Sequence, residues 1–331
     1  MLCAISSLEK TPDNKYVISG DVNGELSFYH YDHIISNHIT FFKNKFVNPF
    51  LVLKITEKPI IHTATTSNNF FIIQTTEDIL VFEYDSLIQL VDQSKHDQNR
   101  VISYNKTAVQ NFKANSKNRF KIYGNSTIVY FSDDTSLCSF NTENMDTRIL
   151  LNINKPLLSL DVFKEYVYII DENFDFYRKN LSKSTKVFTK SLGPLIQELG
   201  LERRSMPVEL YVSRRKSDQI FLSFREFLFF INIDLITVED IFEAPEIITT
   251  VIQDDDGDIV LGMSSCNIIT INNSLELKSC VETNNPCTFS IINDKKNNSN
   301  QYSNLIASGS NGIIDVYLDN LYAFSFIKPN N

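Results

Sequence analysis

The sequence predicts an all-β fold, a seven-bladed β-propeller of four-stranded antiparallel blades with a short helical insert near residues 191–201. Three observations carry that expectation. A strand–turn–strand pattern occurs seven times along the 331 residues, its starts 54, 57, 39, 53, 39 and 46 residues apart. Most copies have an apolar run before them and a β-prone run after them, which makes four strands per unit. Twenty-five Phe and fourteen Tyr, with many Ile, Val and Thr, favour strands, although nine glycines are few for an all-β chain. A single meander of that many strands would leave long unpaired edges, whereas radial packing covers both faces of each blade and leaves only short edges.

The clearest hairpin is Tyr16–Asp32, YVISGDVNGELSFYHYD. Tyr16–Ser19 is a β-rich run. Gly20, Asn23 and Gly24 supply turn positions where positive φ costs little, and Asn-Gly is the strongest short hairpin signal. From Glu25 to Tyr31 the side chains alternate: Leu26, Phe28 and His30 on one face, Glu25, Ser27, Tyr29 and Tyr31 on the other. The remaining hairpins are predicted at 70–85, 127–141, 166–180, 219–233, 258–272 and 304–318.

First strands are expected at Cys3–Leu8, Ile60–Thr66, Leu157–Phe163, Val208–Ser213, Ile247–Gln253 and Cys287–Ile292, with a weaker one at Arg119–Tyr123. Outer strands are expected at Ile39–Lys45, Thr147–Ile153, Thr185–Lys190, Val238–Glu243 and Tyr322–Lys328. Two stretches depart from the pattern. Ser86–Gln98 reads as a helical turn or an outer strand. Ser191–Leu201 has a Pro near its start and Leu195, Ile196 and Leu199 at helical spacing, which predicts a short helix between blades four and five. Asn-rich pieces at 66–69, 111–118 and 293–304 read as exposed loops.

Two segments bring a family into view. PDNKYVISGDVNGELSFYHYD at 12–32 resembles the middle of a WD repeat: a proline–acidic turn, a strand, Ser-Gly, Asp-x-x-Gly, then a strand ending in an aromatic residue and Asp. NLIASGSNGIIDVYLD at 304–319 is similar to the same part of a last repeat. The resemblance implies one WD-repeat-like propeller domain over 1–331. It covers the first and last units closely and the middle five by pattern alone. No Trp-Asp dipeptide occurs and no repeat begins with Gly-His, so the Asp–His–Ser–Trp hydrogen-bond network of the family does not carry over. Asp21 and Ser19 fit two of its members in the first unit, and the last unit has Ser308 and Ser310. The ends of the chain either form their own blades, held together by packing, or exchange a terminal strand.

The N-terminus has no basic region ahead of an apolar run, and no stretch of eighteen apolar residues occurs, so neither a signal peptide nor a membrane span is read. Five cysteines without a C-x-x-C spacing read as reduced thiols of a protein in the cytoplasm or nucleus. His30, His33 and His38 lie close in sequence around Asp32, but in a strand and a polar loop they read as solvated side chains and not as metal ligands. Asp254–Asp258 starts like a calcium loop, yet it lacks the distal Glu and reads as a turn between strands. No nucleophile elbow, metalloprotease motif or glycine-rich phosphate loop is present. The expectation is no enzyme, no cofactor and no metal.

Charge is the most specific signal at residue level. The net charge is −9, but 100–225 holds 20 Lys+Arg against 13 Asp+Glu, and 226–277 holds 11 acids and no base. Blades three to five are therefore predicted to be basic, with acidity in blades five and six. The candidate partner-binding residues are Arg203, Arg204, Arg214, Arg215 and Lys216, together with the 191–201 insert. They point to a non-catalytic scaffold, a subunit of an intracellular multiprotein complex whose partners are other protein subunits. One alternative is a binder of RNA or anionic lipid through the basic loops. The Phe-Arg-Arg-Gly motif of phosphoinositide-binding propellers is absent, however, and the aromatic interleaving of single-strand binders is sparse. A second alternative is an enzyme with its site in the central channel.

Overall fold

The turns decide where each hairpin reverses. At the first, Asp21 Oδ1 accepts hydrogen bonds from the amides of Asn23 (2.9 Å) and Glu25 (3.0 Å), and Gly24 takes a φ of 77°. At the fourth, Asp171 Oδ1 does the same for Asn173 and Asp175, both at 2.9 Å. These side chains offer the backbone a turn in place of a continued ladder. Asp21, which the sequence pairs with a family network, caps this turn.

The computed structural model describes residues 4–32, 49–93, 101–103, 108, 110–115, 118–124, 126–183, 185–200, 209–216, 218–253, 257–294, 304–318 and 321–327. The fold is a seven-bladed β-propeller. Each of its seven sheets has a four-strand meander order, to which the sheet of blade one adds a fifth strand. The chain divides into two compact units, one of 1–112, 249–254 and 258–331, the other of 113–248 and 255–257.

In the first unit, β1 (Ile5–Lys10), β2 (Tyr16–Asp21), β3 (Glu25–His30) and β4 (Leu51–Lys54) form blade one. Blade two has β5 (Ile60–Thr65), β6 (Phe70–Thr75), β7 (Asp78–Glu83) and, after a helix over Tyr84–Gln93, β9 (Gln110–Lys113). Between them in sequence, β8 (Val101–Ser103) pairs in parallel with β4 and gives blade one a fifth strand. Blade six is Ile248–Gln253, Ile259–Met263, Asn267–Ile271 and Leu277–Glu282; blade seven is Thr288–Asp294, Asn304–Gly309, Ile313–Leu318 and Leu321–Ile327.

All seven hairpins stand where the sequence places them, and the first strands agree to within two residues. The outer strands of blades three, five and seven agree to within one residue, and that of blade four begins three residues late. The outer strand expected over 39–45 lies outside the described residues, and Leu51–Lys54 occupies that place in blade one. The 86–98 stretch is helical to Gln93; its buried Leu87 and Val91 sit one turn apart and pack into the core of blades one and two.

The ends of the chain form separate blades, and no strand is exchanged among the described residues. The two blades are joined by a core of Ile5, Leu8, Val17, Tyr29, Ile306, Ile314 and Val316. Two hydrogen bonds cross with it: the Leu8 amide donates to Ser290 Oγ (3.2 Å), and Ser308 Oγ donates to the Ile5 carbonyl (3.4 Å). Ser290 sits just past a register shift in its strand, which turns the hydroxyl toward the neighbouring blade.

Glu9 lies on β1 beside Thr63 and Thr65 of β5. Burial pushes its carboxyl up to about 7, against weaker opposing bonds from Thr65 and Thr63. Its Oε2 has no hydrogen-bond partner among the described residues. A carboxyl whose pKa is raised by folding favours the native state below its unfolded value, and loses that contribution as pH rises through the folded value. Melting temperature is therefore expected to fall between pH 4.5 and about 7. Glu9→Gln should flatten that part of a pH series followed by circular dichroism. An unchanged slope would mean that Glu9 is hydrated and does not set it.

Candidate protein-interaction site

The second unit holds three blades. Blade three is Lys121–Tyr123, Thr127–Phe131, Ser136–Asn141 and Asp146–Asn152; blade four is Leu157–Phe163, Tyr166–Asp171, Asp175–Asn180 and Phe188–Ser191. Blade five is Glu209–Val212, Gln219–Phe224, Phe227–Asn232 and Thr237–Glu243. Tyr168, Ile170, Phe176, Leu210, Val212, Ile220 and Leu222 form the core between blades four and five.

One carboxylate organises the first strands of this unit. Asp161 interrupts the apolar run LLSLDVF and is 1% exposed. Its Oδ1 accepts from the Val162 amide at 2.8 Å, and its Oδ2 accepts from the Val212 amide of blade five at 2.9 Å. Arg214 stands two residues further along. Its Nη2 lies 3.3 Å from Oδ2 and 3.4 Å from Oδ1, while Nη1 donates to the Val162 carbonyl at 2.8 Å. The guanidinium also lies over the Phe163 ring, 5.1 Å from its centroid. Lys121 of blade three completes the set, with Nζ 3.9 Å from Asp161 Oδ1 and 5.9 Å from the centre of the Tyr211 ring. Burial, with the neighbouring Glu209 charge after it, drives the Tyr211 hydroxyl well above the usual phenol range, and that hydroxyl donates to Glu209.

Arg214 is therefore an anchored residue, and Arg215 and Lys216 follow it on the turn. Arg215 and Lys216 are exposed on a turn whose amides both donate to Ser213 Oγ, at 3.4 and 3.1 Å. The turn is closed by the Ser213 amide on the Gln219 carbonyl (3.1 Å). Lys216 Nζ reaches Glu239 of the outer strand at 3.6 Å across an exposed gap. An exposed pair at that distance contributes little to stability, on the order of 0–1 kcal/mol. Arg203 and Arg204 lie outside the described residues.

The helical insert is present as Gly193–Glu198, started by Pro194 and held by Leu192 and Ile196, which are buried in the core between blades four and five. It does not meet Arg214. The Leu192 amide bonds the Phe174 carbonyl at the Leu157–Asp171 end of blade four, whereas Arg214 bonds Val162 near the Phe163–Tyr166 end. Insert and basic turn thus lie at opposite ends of the blade. Sequence reasoning missed Asp161, although a lone acid inside an apolar strand was the available signal, since such a residue is seldom buried without a partner.

The described histidines have no metal-like company: His30 stacks on Phe50, ring centroids 4.2 Å apart. Among the described residues no three His, Cys, Asp or Glu side chains converge as metal ligands would, and no helix is long and apolar enough to cross a membrane. His33, His38 and Asp254–Asp256 lie outside the described residues.

With this geometry in place, the chain can be set beside known structures. It is similar to Saccharomyces cerevisiae Sqt1 with a TM-score of 0.64 at 12% identity, covering 99% of this chain and 97% of that one. It is also similar to the WD40 β-propeller domain of Doa1, with a TM-score of 0.61 at 10% identity over 95% and 92% of the two chains. The likeness is one of fold. No family model matches the chain, and no curated protein matches it in sequence. At such identities the propeller architecture is shared while surface residues are free to differ, so the basic turn has to be read from its own chemistry.

Proposed function

We propose that this chain is a non-catalytic protein-interaction scaffold, a subunit of a multiprotein complex in the cytoplasm or nucleus. The basic turn of blade five is its contact surface. The observation that carries this reading is the fixed geometry of that turn: Arg214 is tied to Asp161 and Val162, and Arg215 and Lys216 project from a turn capped by Ser213. A preorganised pair of exposed cations loses little conformational freedom on binding and suits an acidic protein surface. Arg203 and Arg204 belong to the same proposed surface by sequence. The WD40-like fold supports the scaffold reading, because such rings present rigid faces on which loops vary.

The double variant Arg215→Glu/Lys216→Glu tests this. Both residues are exposed, so the melting temperature should move by no more than about 2 °C, as for ordinary surface changes. Recovery of co-purifying proteins, measured by quantitative mass spectrometry, should drop by roughly tenfold, because rim charges steer association and the reversed pair repels the partner. Equal recovery by the variant and the parent chain would move the contact surface elsewhere.

A further inference from the structure

Blade four carries a second cationic surface, on its two outer strands. Between Phe176 and Gln197 the sequence places Arg178, Lys179, Lys183, Lys186 and Lys190 and no acid. Arg178 is paired across the sheet with Tyr168 on one side and Phe188 on the other, so the three share a face. Tyr166 and Lys190, each two residues away along its strand, lie on that face too. The Arg178 guanidinium is stacked 4.7 Å from the Phe188 ring centroid and 5.7 Å from that of Tyr166. Lys190 Nζ stands 5.6 Å from the Phe188 ring and donates to the Asp234 carbonyl at 2.7 Å. Neither Arg178 nor Lys190 forms an ion pair among the described residues.

Two features say what this surface fits. A guanidinium stacked on rings has its planar faces covered and its orientation set. The N–H edge of such a guanidinium is the part that grips a carboxylate through two bonds. The same contacts already place the protein's own cations over the Phe188 ring, which disfavours a stacked nucleobase there. The second feature is the edge itself. Among the described residues Phe188–Ser191 is the terminal strand of its sheet and pairs with Asp175–Asn180 alone. The equivalent edge of blade one is covered by β8, which pairs in parallel with Leu51–Lys54. This chain therefore already shows an outer blade edge receiving a fifth strand.

We propose that the outer edge of blade four receives an extended acidic segment of a partner protein as a fifth strand, its carboxylates meeting Lys190 and Arg178. Strand addition supplies backbone hydrogen bonds, and side chains at alternate positions supply selectivity. Carboxylates two residues apart on such a strand are about 7 Å apart and face the same side. The proposal rests on the scaffold reading for its biological sense, but it concerns a different surface from the basic turn of blade five.

The test uses the full chain and a short fluorescent peptide alternating Glu and Val, followed by anisotropy. Binding is expected. It should weaken by at least about tenfold with Gln in place of Glu, since each charge-assisted bond lost is worth a factor of that order. A comparable loss is expected when alternate peptide amides are methylated, which blocks strand pairing and keeps the charge. Arg178→Glu should abolish binding. Lys190→Glu, on the exposed outer strand, serves as the second variant if Arg178→Glu does not fold, and should weaken binding by about tenfold. No binding at all, or equal binding of the Gln peptide or the methylated peptide, overturns the proposal. So does binding of oligouridylate or phosphoinositide vesicles that Arg178→Glu removes while peptide binding survives. The Arg215→Glu/Lys216→Glu variant should bind the peptide normally. If the peptide fails while that variant still loses its partners, the edge proposal falls and the scaffold reading stands.

Discussion

Asp161→Ala is expected to destabilise the protein by about 2–4 kcal/mol in urea unfolding followed by tyrosine fluorescence or circular dichroism. The loss is that large because of what the carboxylate holds. It accepts from two backbone amides, Val162 and Val212, and the second of these joins blade five to blade four. Removing it leaves Val212 N–H without its acceptor inside the structure, at about 1–3 kcal/mol for an orphaned buried group. The cations add less, because Arg214 is 38% exposed on its side chain and Lys121 is 33% exposed, and water takes over part of their solvation. Three variants therefore order the contributions. Asp161→Ala should cost most. Asp161→Asn should cost less, since it keeps one oxygen acceptor while its amide turns a donor toward donors. Arg214→Ala should cost least, about 1 kcal/mol, because both amides keep their acceptor. If Arg214→Ala proves as costly as Asp161→Ala, the ion pair and not the amide bonds holds the two blades together.

Gly24→Val is the second large effect, with an expected loss of about 3 kcal/mol or more. Gly24 combines two demands that no other residue type meets. Its φ of 77° lies in the left-handed region, where a β-branched side chain is strained. A Cβ there would also fall 2.1 Å from the Thr56 carbonyl oxygen and 2.8 Å from that of Lys58. Both obstacles are backbone and cannot swing aside. The approach has a structural purpose, since the Ile55 and Thr56 amides donate to the Gly24 carbonyl at 3.1 and 3.3 Å and bring the chain from β4 toward blade two. Gly124 and Gly200 are useful controls. They also have positive φ, 59° and 69°, but nothing lies within 4 Å of their Cβ positions. Gly124→Ala should cost only the conformational strain, about 1 kcal/mol. Equal melting temperatures for Gly24→Val and Gly124→Ala would show that the close approach is relieved at no cost.

The hairpins were legible because everything that makes them is local. Asp21, Asn23 and Gly24 turn the chain, and the β-prone residues that follow form a strand buried on both faces. Outer strands were legible unevenly. Asp146–Asn152 and Thr237–Glu243 stand within one residue of their expected places. The half-exposed Phe188–Ser191 begins three residues later than Thr185–Lys190 predicts, because partial burial imposes little alternation on such a strand. In blade one the terminal positions are filled by Leu51–Lys54 and by the added strand Val101–Ser103, whose pairing partners lie far away in sequence. The basic quintet was visible as charge. Its mechanical division into anchored Arg214 and projecting Arg215 and Lys216 was not, because Asp161 is over fifty residues from Arg214 in the chain.

The sequence by itself determined the repeat: seven hairpins, the helical insert and the cationic character of the middle of the chain. These follow from periodicity, turn residues and composition, which are properties of neighbours along the chain. Only the tertiary structure decided which blade each remote strand joins, how the Leu8 amide meets Ser290 between the first and last blades, and which cations are already engaged. It also set the Arg178 guanidinium over Phe188 with Lys190 beside it. Burial of a carboxylate, a register shift that turns a hydroxyl outward and the stacking of a guanidinium on a ring all depend on partners brought together by folding. No local pattern encodes those distances.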